Sequence, residues 1–446
     1  MQGKITSDLS FCLADDGFSL DELVLKASEL YRTKALNEFV KLMLMAAQEV
    51  IAGRLMRGEH LALSCCGGHE FVLNGGYDRA VRTSVGDVRL FWRRVKCKRC
   101  GKSFTLLREL MKLDRYQTKT GELEKLVVDS VAETSYRRAV VTLEGHGIVG
   151  VPHSTAHRWV LRTDCDEIEL SSDVFGSAPA MVVADGTKFK GLPSGGEARR
   201  GDLKIALGVS SDGRMFPLGA YAGTSWQEVG EDWKKRELKL PEGSVLLADG
   251  EEDISTALAK YADFEQRCHW HAVEGLYFSM YPDGGRAKDS RPLQKGLAGV
   301  LAIELPEGDF AKVTEAEKDG VEERMELAEE AMSKLSKHLW SNGYHTAADY
   351  IDRARKNVFG YVRRWLRFGI ICPRASSLVE RVMRELGRRL KKIAYGWSDA
   401  GITKVAKIIL KRFSDIDAWE EYWAKRMNSI GNIVLTLWNV KCQHNT

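Results

Sequence analysis

Two aspartates stand in nearly identical company: Ala184-Asp185-Gly186 follows the apolar run Ala180–Ala184, and Ala248-Asp249-Gly250 follows Ser244–Ala248. One Asp-Gly is an ordinary turn. Two of them, each closing an apolar strand, bring two carboxylates to one sheet edge. Like charges at close range oppose full ionisation, and a divalent cation removes the conflict. Oxygen-only ligands favour Mg²⁺ (or Mn²⁺), which is held by one or two carboxylates plus substrate phosphates. Two such ions, roughly 4 Å apart, activate an attacking oxygen and stabilise a leaving one. The chemistry this pair points to is phosphoryl transfer.

A second set of residues points to a different metal. Cys97-Lys98-Arg99-Cys100-Gly101 has the form of a zinc knuckle, two thiols around a tight turn. Its partner group is Cys65-Cys66-Gly67-Gly68-His69, in which Cys66 with His69 has the right spacing and Cys65 with His69 is also possible. Cys66, His69, Cys97 and Cys100 are expected to hold one structural Zn²⁺. Nine cysteines in 446 residues do not make a disulfide framework.

The elements that must position these residues follow from periodicity. Residues 1–60 read as helical and 61–110 as a zinc ribbon containing the β-like run Val88–Val95. Residues 111–172 read as a helix-turn-helix DNA-binding domain. Its second helix, Ser154–Arg162, presents Thr155, His157 and Arg158 to the major groove. From 173 to 275 the order is β-β-β-α-β-α-β, the first part of a catalytic core. A helical, highly charged insertion covers 276–372, and 373–446 completes the core with C-terminal helices. The expected fold class is multidomain α+β: a mixed sheet flanked by helices and interrupted by a helical insertion. N-terminal helical, zinc-ribbon and helix-turn-helix parts precede it.

Composition narrows the class. With 66 basic against 62 acidic residues, the net charge of +4 says little about nucleic acid. Distribution says more. Nine Lys/Arg and one acid lie between Arg79 and Lys102, and a second basic cluster runs from Arg381 to Lys392. The start, MQGKITSDLSF, has no apolar signal region, and the apolar stretch Leu42–Val50 is too short to span a bilayer. A cytoplasmic, nucleoid-associated, prokaryotic protein with no membrane partner is expected.

In strand order and in both aspartates the chain resembles the DDE transposase superfamily, whose core is RNase H-like. More narrowly it is similar to the Mutator-like insertion-sequence branch, which places Cys-x-x-His after the second aspartate. Cys268-His269-Trp270-His271 fits, with Cys268 and His271 as supports of the active site. That branch also carries a helical insertion before its glutamate; here 380 − 249 = 131 residues intervene. Val379, Val382, Met383, Leu386, Leu390 and Ile393 form the apolar stripe of the next helix. Glu380 and Glu385 flank that stripe, and periodicity does not choose between them. The resemblance selects Glu380, early in the helix. Arg384, Arg388 and Lys391 share its flank, within reach of a DNA phosphate.

The resemblance implies a transposase that binds transposon ends and cuts and rejoins strands. Asp185, Asp249 and Glu380 would be its catalytic acids, holding two Mg²⁺ ions. The implied partners are double-stranded DNA, both transposon ends and target, and further copies of the chain in a homodimer or higher synaptic oligomer. Two other readings use the same residues: an RNase H-fold nuclease or resolvase, and a domesticated, non-catalytic DNA-binding regulator.

Overall fold

The computed structural model describes residues 19–59, 65, 66, 70–148, 150–164, 179–193, 199–210, 213–375, 377–391 and 396–427. The chain divides into two compact units, Met1–Trp159 with Glu420–Thr446, and Val160–Trp419. Among the described residues no helix is long and apolar enough to cross a membrane.

The first unit opens with helices α1 (Leu20–Leu30) and α2 (Leu36–Met56), joined by a π-helical turn. A three-stranded antiparallel sheet follows: β1 (Phe71–Thr83), β2 (Gly86–Cys97) and β3 (Ser103–Thr105). The β1–β2 hairpin is longer than its short apolar run suggests, pairing from Phe71↔Cys97 to Thr83↔Gly86. Ile51, Ala52 and Leu55 of α2 pack on Phe71, Val95 and Phe104 of the sheet, with Leu106 beyond it. Gln48, which interrupts the apolar stretch of α2, is buried and ties the helix to β2. Its Nε2 donates to the Phe91 carbonyl at 3.0 Å, and its Oε1 accepts from the Arg93 N–H at 2.9 Å.

After a short α3 (Leu106–Met111), α4 (Gly121–Glu133) and α5 (Tyr136–Gly145) begin on Thr120 and Ser135, whose hydroxyls cap the first turns. Gly147, with φ of 76°, turns the chain toward α6 (His153–Arg162).

The second unit is built on a five-stranded sheet of β4 (Met181–Lys190), β5 (Arg200–Val209), β6 (Met215–Ala222), β7 (Val245–Ala248) and β8 (Phe264–Arg267). The order is β6-β5-β4-β7-β8. β5 pairs antiparallel with both β4 and β6, whereas β7 runs parallel to β4, and β8 parallel to β7. This is the RNase H-like arrangement the sequence predicts, in a mixed α+β chain. One boundary differs from expectation. β4 does not end at Ala184 but continues to Lys190, paired with β5 as far as Lys190↔Arg200. Its pairing with β7 stops at Ala184↔Ala248. Polar residues such as Thr187 and Lys188 therefore belong to a strand with one hydrogen-bonded neighbour, which an apolar pattern does not reveal.

Alternation sorts the strand residues onto two faces. Val182, Ala184, Ala206, Leu218, Leu246 and Ala248 share one core with α7 (Trp226–Lys235) and α8 (Glu252–Leu258). On the other side, α14 (Ser377–Leu390) packs on β4, and α15 (Asp399–Ser414) on β5 and β6. Of the predicted α14 stripe, Val382, Leu386 and Leu390 are buried; Ile393 and the Val379 side chain lie outside the described residues.

Between α8 and α14 stand α9 (His269–Met280), α10 (Ala287–Leu301), α11 (Glu315–Ser341), α12 (His345–Arg355) and α13 (Gly360–Phe368), the helical insertion. It is stitched to the sheet by buried Gln266, whose Nε2 donates to the Val358 carbonyl at 2.8 Å and whose Oε1 accepts from the Tyr361 N–H at 2.7 Å. α16 (Ile416–Arg426) ends the described chain.

Candidate active site

Asp185 and Asp249 are the next residues after Ala184↔Ala248, the last registered pair of two parallel strands. They therefore stand abreast on neighbouring strands, on the face opposite Ala184 and Ala248. Asp185 is held by its ladder, and its Oδ1 also accepts from the Gly186 N–H at 2.7 Å. Asp249 caps its own turn, accepting from the Glu251 N–H at 2.9 Å. Partial burial, and after it the charge of Asp249, pushes the Asp185 carboxyl up to about 6, against the opposing pull of the Gly186 N–H, His271 and Lys391. A carboxylate pair that resists double ionisation, with oxygen donors only, fits a divalent cation of the Mg²⁺ type.

The third parallel strand extends the row. Ala248↔Arg267 is in register, so Cys268 follows beside Asp249, its N–H bonded to the Ala248 carbonyl at 2.8 Å. Cys268 is buried and its thiol hydrogen-bonds His271 on the first turn of α9. That bond raises the His271 pKa, with the charges of Cys268, Asp249 and Asp185 adding and burial opposing. The predicted pair is thus brought together, and the imidazole lies in the field of both aspartates. His269 between them turns the other way. Its Nε2 lies 3.0 Å from the Val358 carbonyl, and burial lowers its pKa to about 4, so it is a neutral donor to the insertion.

Residues that motif reading passed over complete the floor of the site. Arg267 is buried with its guanidinium 4.5 Å from the Tyr350 ring centroid and against Gly250. The Tyr350 hydroxyl donates to the His271 carbonyl at 2.9 Å, where α12 crosses α9 at Gly275. Arg267 closes β8, three of whose four residues are polar, so no apolar run marks it in the sequence. Tyr350 has no mark there either, because its partner is 79 positions away.

Glu380 is exposed on the first turn of α14 and has no hydrogen bond or ion pair among the described residues. It shares a helix flank with Lys391, the cation that acts on Asp185. Glu385 lies on the other flank, between Arg381 over the Phe413 ring of α15 and Arg389 over Trp397; it pairs with Arg388 at 3.0 Å. Flank therefore favours Glu380 over Glu385. The carboxylates of Asp185, Asp249 and Glu380 do not form a group with donor atoms within 4.8 Å of one another in the described residues. Arg384, Arg388 and Lys391 are all exposed.

In the first unit, the sulfurs of Cys65, Cys66, Cys97 and Cys100 do form such a group. The backbone N–H groups of Cys100 and Arg99 point at the Cys97 sulfur and bring its thiol down to about 7. The Cys100 thiol, despite the Lys102 N–H that pulls it down, is pushed up to about 11 by burial and the neighbouring thiols. Four soft donors in one cluster, one of them poised to be a thiolate, could hold a zinc ion. Cys66, Cys97 and Cys100 are brought together as expected, Cys65 joins them, and His69 lies outside the described residues.

On α6, His157 and Arg158 are exposed and Thr155 is half-buried, with Arg158 Nη2 donating to Thr155 Oγ1 at 3.2 Å. The His157 ring lies edge-on to Tyr136 at 5.1 Å.

No protein-family model matches this chain, and no curated protein does. Among solved structures, the chain is similar to the Drosophila P element transposase strand transfer complex, at a TM-score of 0.39 and 10% identity. The match covers 66% of this chain and 92% of that one. A likeness of that degree assigns no chemistry.

Proposed function

We propose that this protein is a DNA transposase of the Mutator-like kind, cutting and rejoining DNA strands by metal-dependent phosphoryl transfer. The observation that carries the reading is the in-register pair Ala184↔Ala248, which sets Asp185 and Asp249 side by side, with the Asp185 carboxyl driven up to about 6 by burial and by its neighbour. Such a pair is at ease only with a proton or a cation between its members.

Asp185, Asp249 and Glu380 would together hold two Mg²⁺ or Mn²⁺ ions. When bound, the ions supply Lewis-acid polarisation of the scissile phosphodiester and of the attacking hydroxyl. The protein does the rest. Asp185 is fixed by its ladder, Asp249 by the Glu251 N–H, and the Cys268–His271 bond sets the imidazole beside them. Exposed Arg384, Arg388 and Lys391 meet phosphates along α14. Thr155, His157 and Arg158 on α6 read the transposon end, and the cysteine cluster holds its unit together around one Zn²⁺. The chain acts as a homodimer or larger synaptic assembly in a prokaryotic cytoplasm.

The test is incubation of the full chain with DNA bearing the ends that flank its gene, in Mg²⁺. Cleavage at the ends followed by joining to a target plasmid is expected, and both are lost in Asp185→Asn. Cleavage without joining would move the assignment to a nuclease or resolvase. End binding without either would make the chain a regulator.

A further inference from the structure

α1 and α2 run on from one another through the π-helical turn Tyr31–Ala35, and α2 is apolar on two opposite sides. Gln48, Ile51 and Leu55 are buried within its unit. Phe39, Leu42, Ala46 and Val50 lie on the other side at helical spacing, and all four are exposed. α1 continues this outer row with Leu20, Val24, Ala27 and Tyr31, also exposed. Leu20 is 69% exposed and Tyr31 62%, and α1 buries no residue at all. A helix apolar on both sides belongs inside a protein, and a helix of three turns with no covered face is marginal in water.

The π-helical turn is what makes the row continuous. From Leu20 to Val50 the steps of three and four residues average more than 3.6, so on an unbroken α-helix the row would drift by about 120° around the axis. The wider turn at Tyr31–Ala35 takes up the excess and returns Phe39 to the side of Tyr31. The two ends of the row differ in sign. Asp21 and Glu22 open α1 with no ion pair among the described residues. Arg54 closes α2 and Arg57 follows it, with Glu59 the one acid that pairs with both. Laid antiparallel on a second copy, each acidic end meets a basic end, and Lys26 comes near Glu49; laid parallel, like charges meet. The same antiparallel register sets large residues against smaller ones, Tyr31 on Leu42 and Leu20 on Gly53, with Ala27 on Ala46 where the helices approach closest.

We infer that the outer face of α1 and α2 is an interface between two copies of this chain, packed antiparallel, with Tyr31 of each copy against Leu42 of the other. The face is apolar along its middle and self-complementary in charge at its ends, which suits a second copy of itself better than an acidic partner such as DNA. It deepens the proposed reading by giving the homodimer a contact surface, and it rests on that assembly rather than on the strand chemistry. The pairing needs neither DNA nor metal.

The experiment is light scattering on the full chain as it leaves a sizing column, with neither DNA nor added metal. Wild type should have twice the mass of one chain. Val24→Asp combined with Tyr31→Asp should return it to the mass of one chain, raising the dissociation constant by roughly a hundredfold or more, because the interface would bury unpaired carboxylates. Both side chains are exposed, so the circular dichroism of the variant should match that of wild type. Leu25→Asp is the control: Leu25 is 70% exposed but lies off the row, and this variant should stay paired. Tyr31→p-benzoylphenylalanine should crosslink, on irradiation, to the peptide of the other copy that holds Leu42, an outcome that does not depend on how the charged variants fold. Wild type at the mass of one chain, or a Val24 and Tyr31 variant that stays paired, overturns the inference. A crosslink to α1 of the other copy overturns the antiparallel packing. If wild type cleaves and joins DNA as a single chain, the reaction stands and this inference falls. If it pairs as described and cleaves nothing, the reaction falls and the interface stands.

Discussion

The Arg267 guanidinium fills the space that a β carbon on Gly250 would occupy, and Gly250 itself has φ of 103°. The turn that carries Asp249 is therefore closed by a residue with no side chain over a buried cation. Gly250→Ala brings a strained backbone and a collision together. It should lower stability by about 1–3 kcal/mol and weaken Mn²⁺ binding by displacing Asp249. Denaturant unfolding and Mn²⁺ titration check both; a variant as stable and as tightly binding as wild type would show that Arg267 simply swings aside.

Asp185 supplies a pH signature. Its folded pKa of about 6 lies above the ordinary 3.8. The proton it retains stabilises the folded chain below about 3.8, and that contribution is lost as pH climbs through about 6. Metal-free Asp185→Asn, which never ionises, should thus be more stable than wild type at pH 7, by roughly 3 kcal/mol at most. The advantage should vanish by about pH 4. Saturating Mn²⁺ should raise the melting temperature of wild type but not of the variant. Melting curves from pH 4 to 8, with and without Mn²⁺, test this.

The thiol cluster makes a compositional prediction. Protein purified without chelator should carry one zinc per chain by mass spectrometry. Cys65→Ser and Cys66→Ser should each lower its retention under chelator challenge, whereas His69→Ala should not, because four sulfurs already meet. Retention falling in His69→Ala but not in Cys65→Ser would restore the histidine as fourth ligand.

Exposed Arg158 tests the reader helix. Arg158→Ala should weaken binding to end DNA by about 1–3 kcal/mol and relax its sequence preference, with Mn²⁺ affinity unchanged. Gel shifts showing wild-type affinity for the end sequence would remove α6 from the interface.

The two candidate glutamates separate cleanly. Glu380→Gln should abolish cleavage, while Glu385→Gln, which breaks an exposed ion pair with Arg388, should leave it within a fewfold of wild type. The reverse result would move the third acid to the flank facing α15.

Much of this site is legible in the sequence because its parts are local. Each aspartate is announced by the apolar strand before it, and Cys268 and His271 by the resemblance to a family that places Cys-x-x-His there. The strand order follows from a run of alternating elements. What escapes is non-local or compensatory. Residues 185–190 of β4 lie beyond the apolar run that marks the strand, because only β5 pairs with them. Arg267 and Tyr350 matter through a contact between β8 and α12, and Gln266 through a bond across 92 positions. Two vicinal cysteines offer two registers, Cys65 or Cys66, and only the fold of the knuckle brings both sulfurs to one place.

The packing of α15 on β6 also sets an order of events at the ribosome. Thr403 on α15 accepts, through its hydroxyl, the Ala222 N–H of β6 at 3.2 Å, a partner made 181 residues earlier. At ordinary translation speeds of about 5–20 residues per second, roughly 10–40 s pass between completion of that strand and of the helix that covers it. Once α8 and β8 are made, the nascent sheet is covered on its α7 side and bare on the other until α14 and α15 follow. The strands that carry both aspartates thus exist well before the active site does. A chain truncated before α14 would expose an apolar sheet face instead of a weakened enzyme.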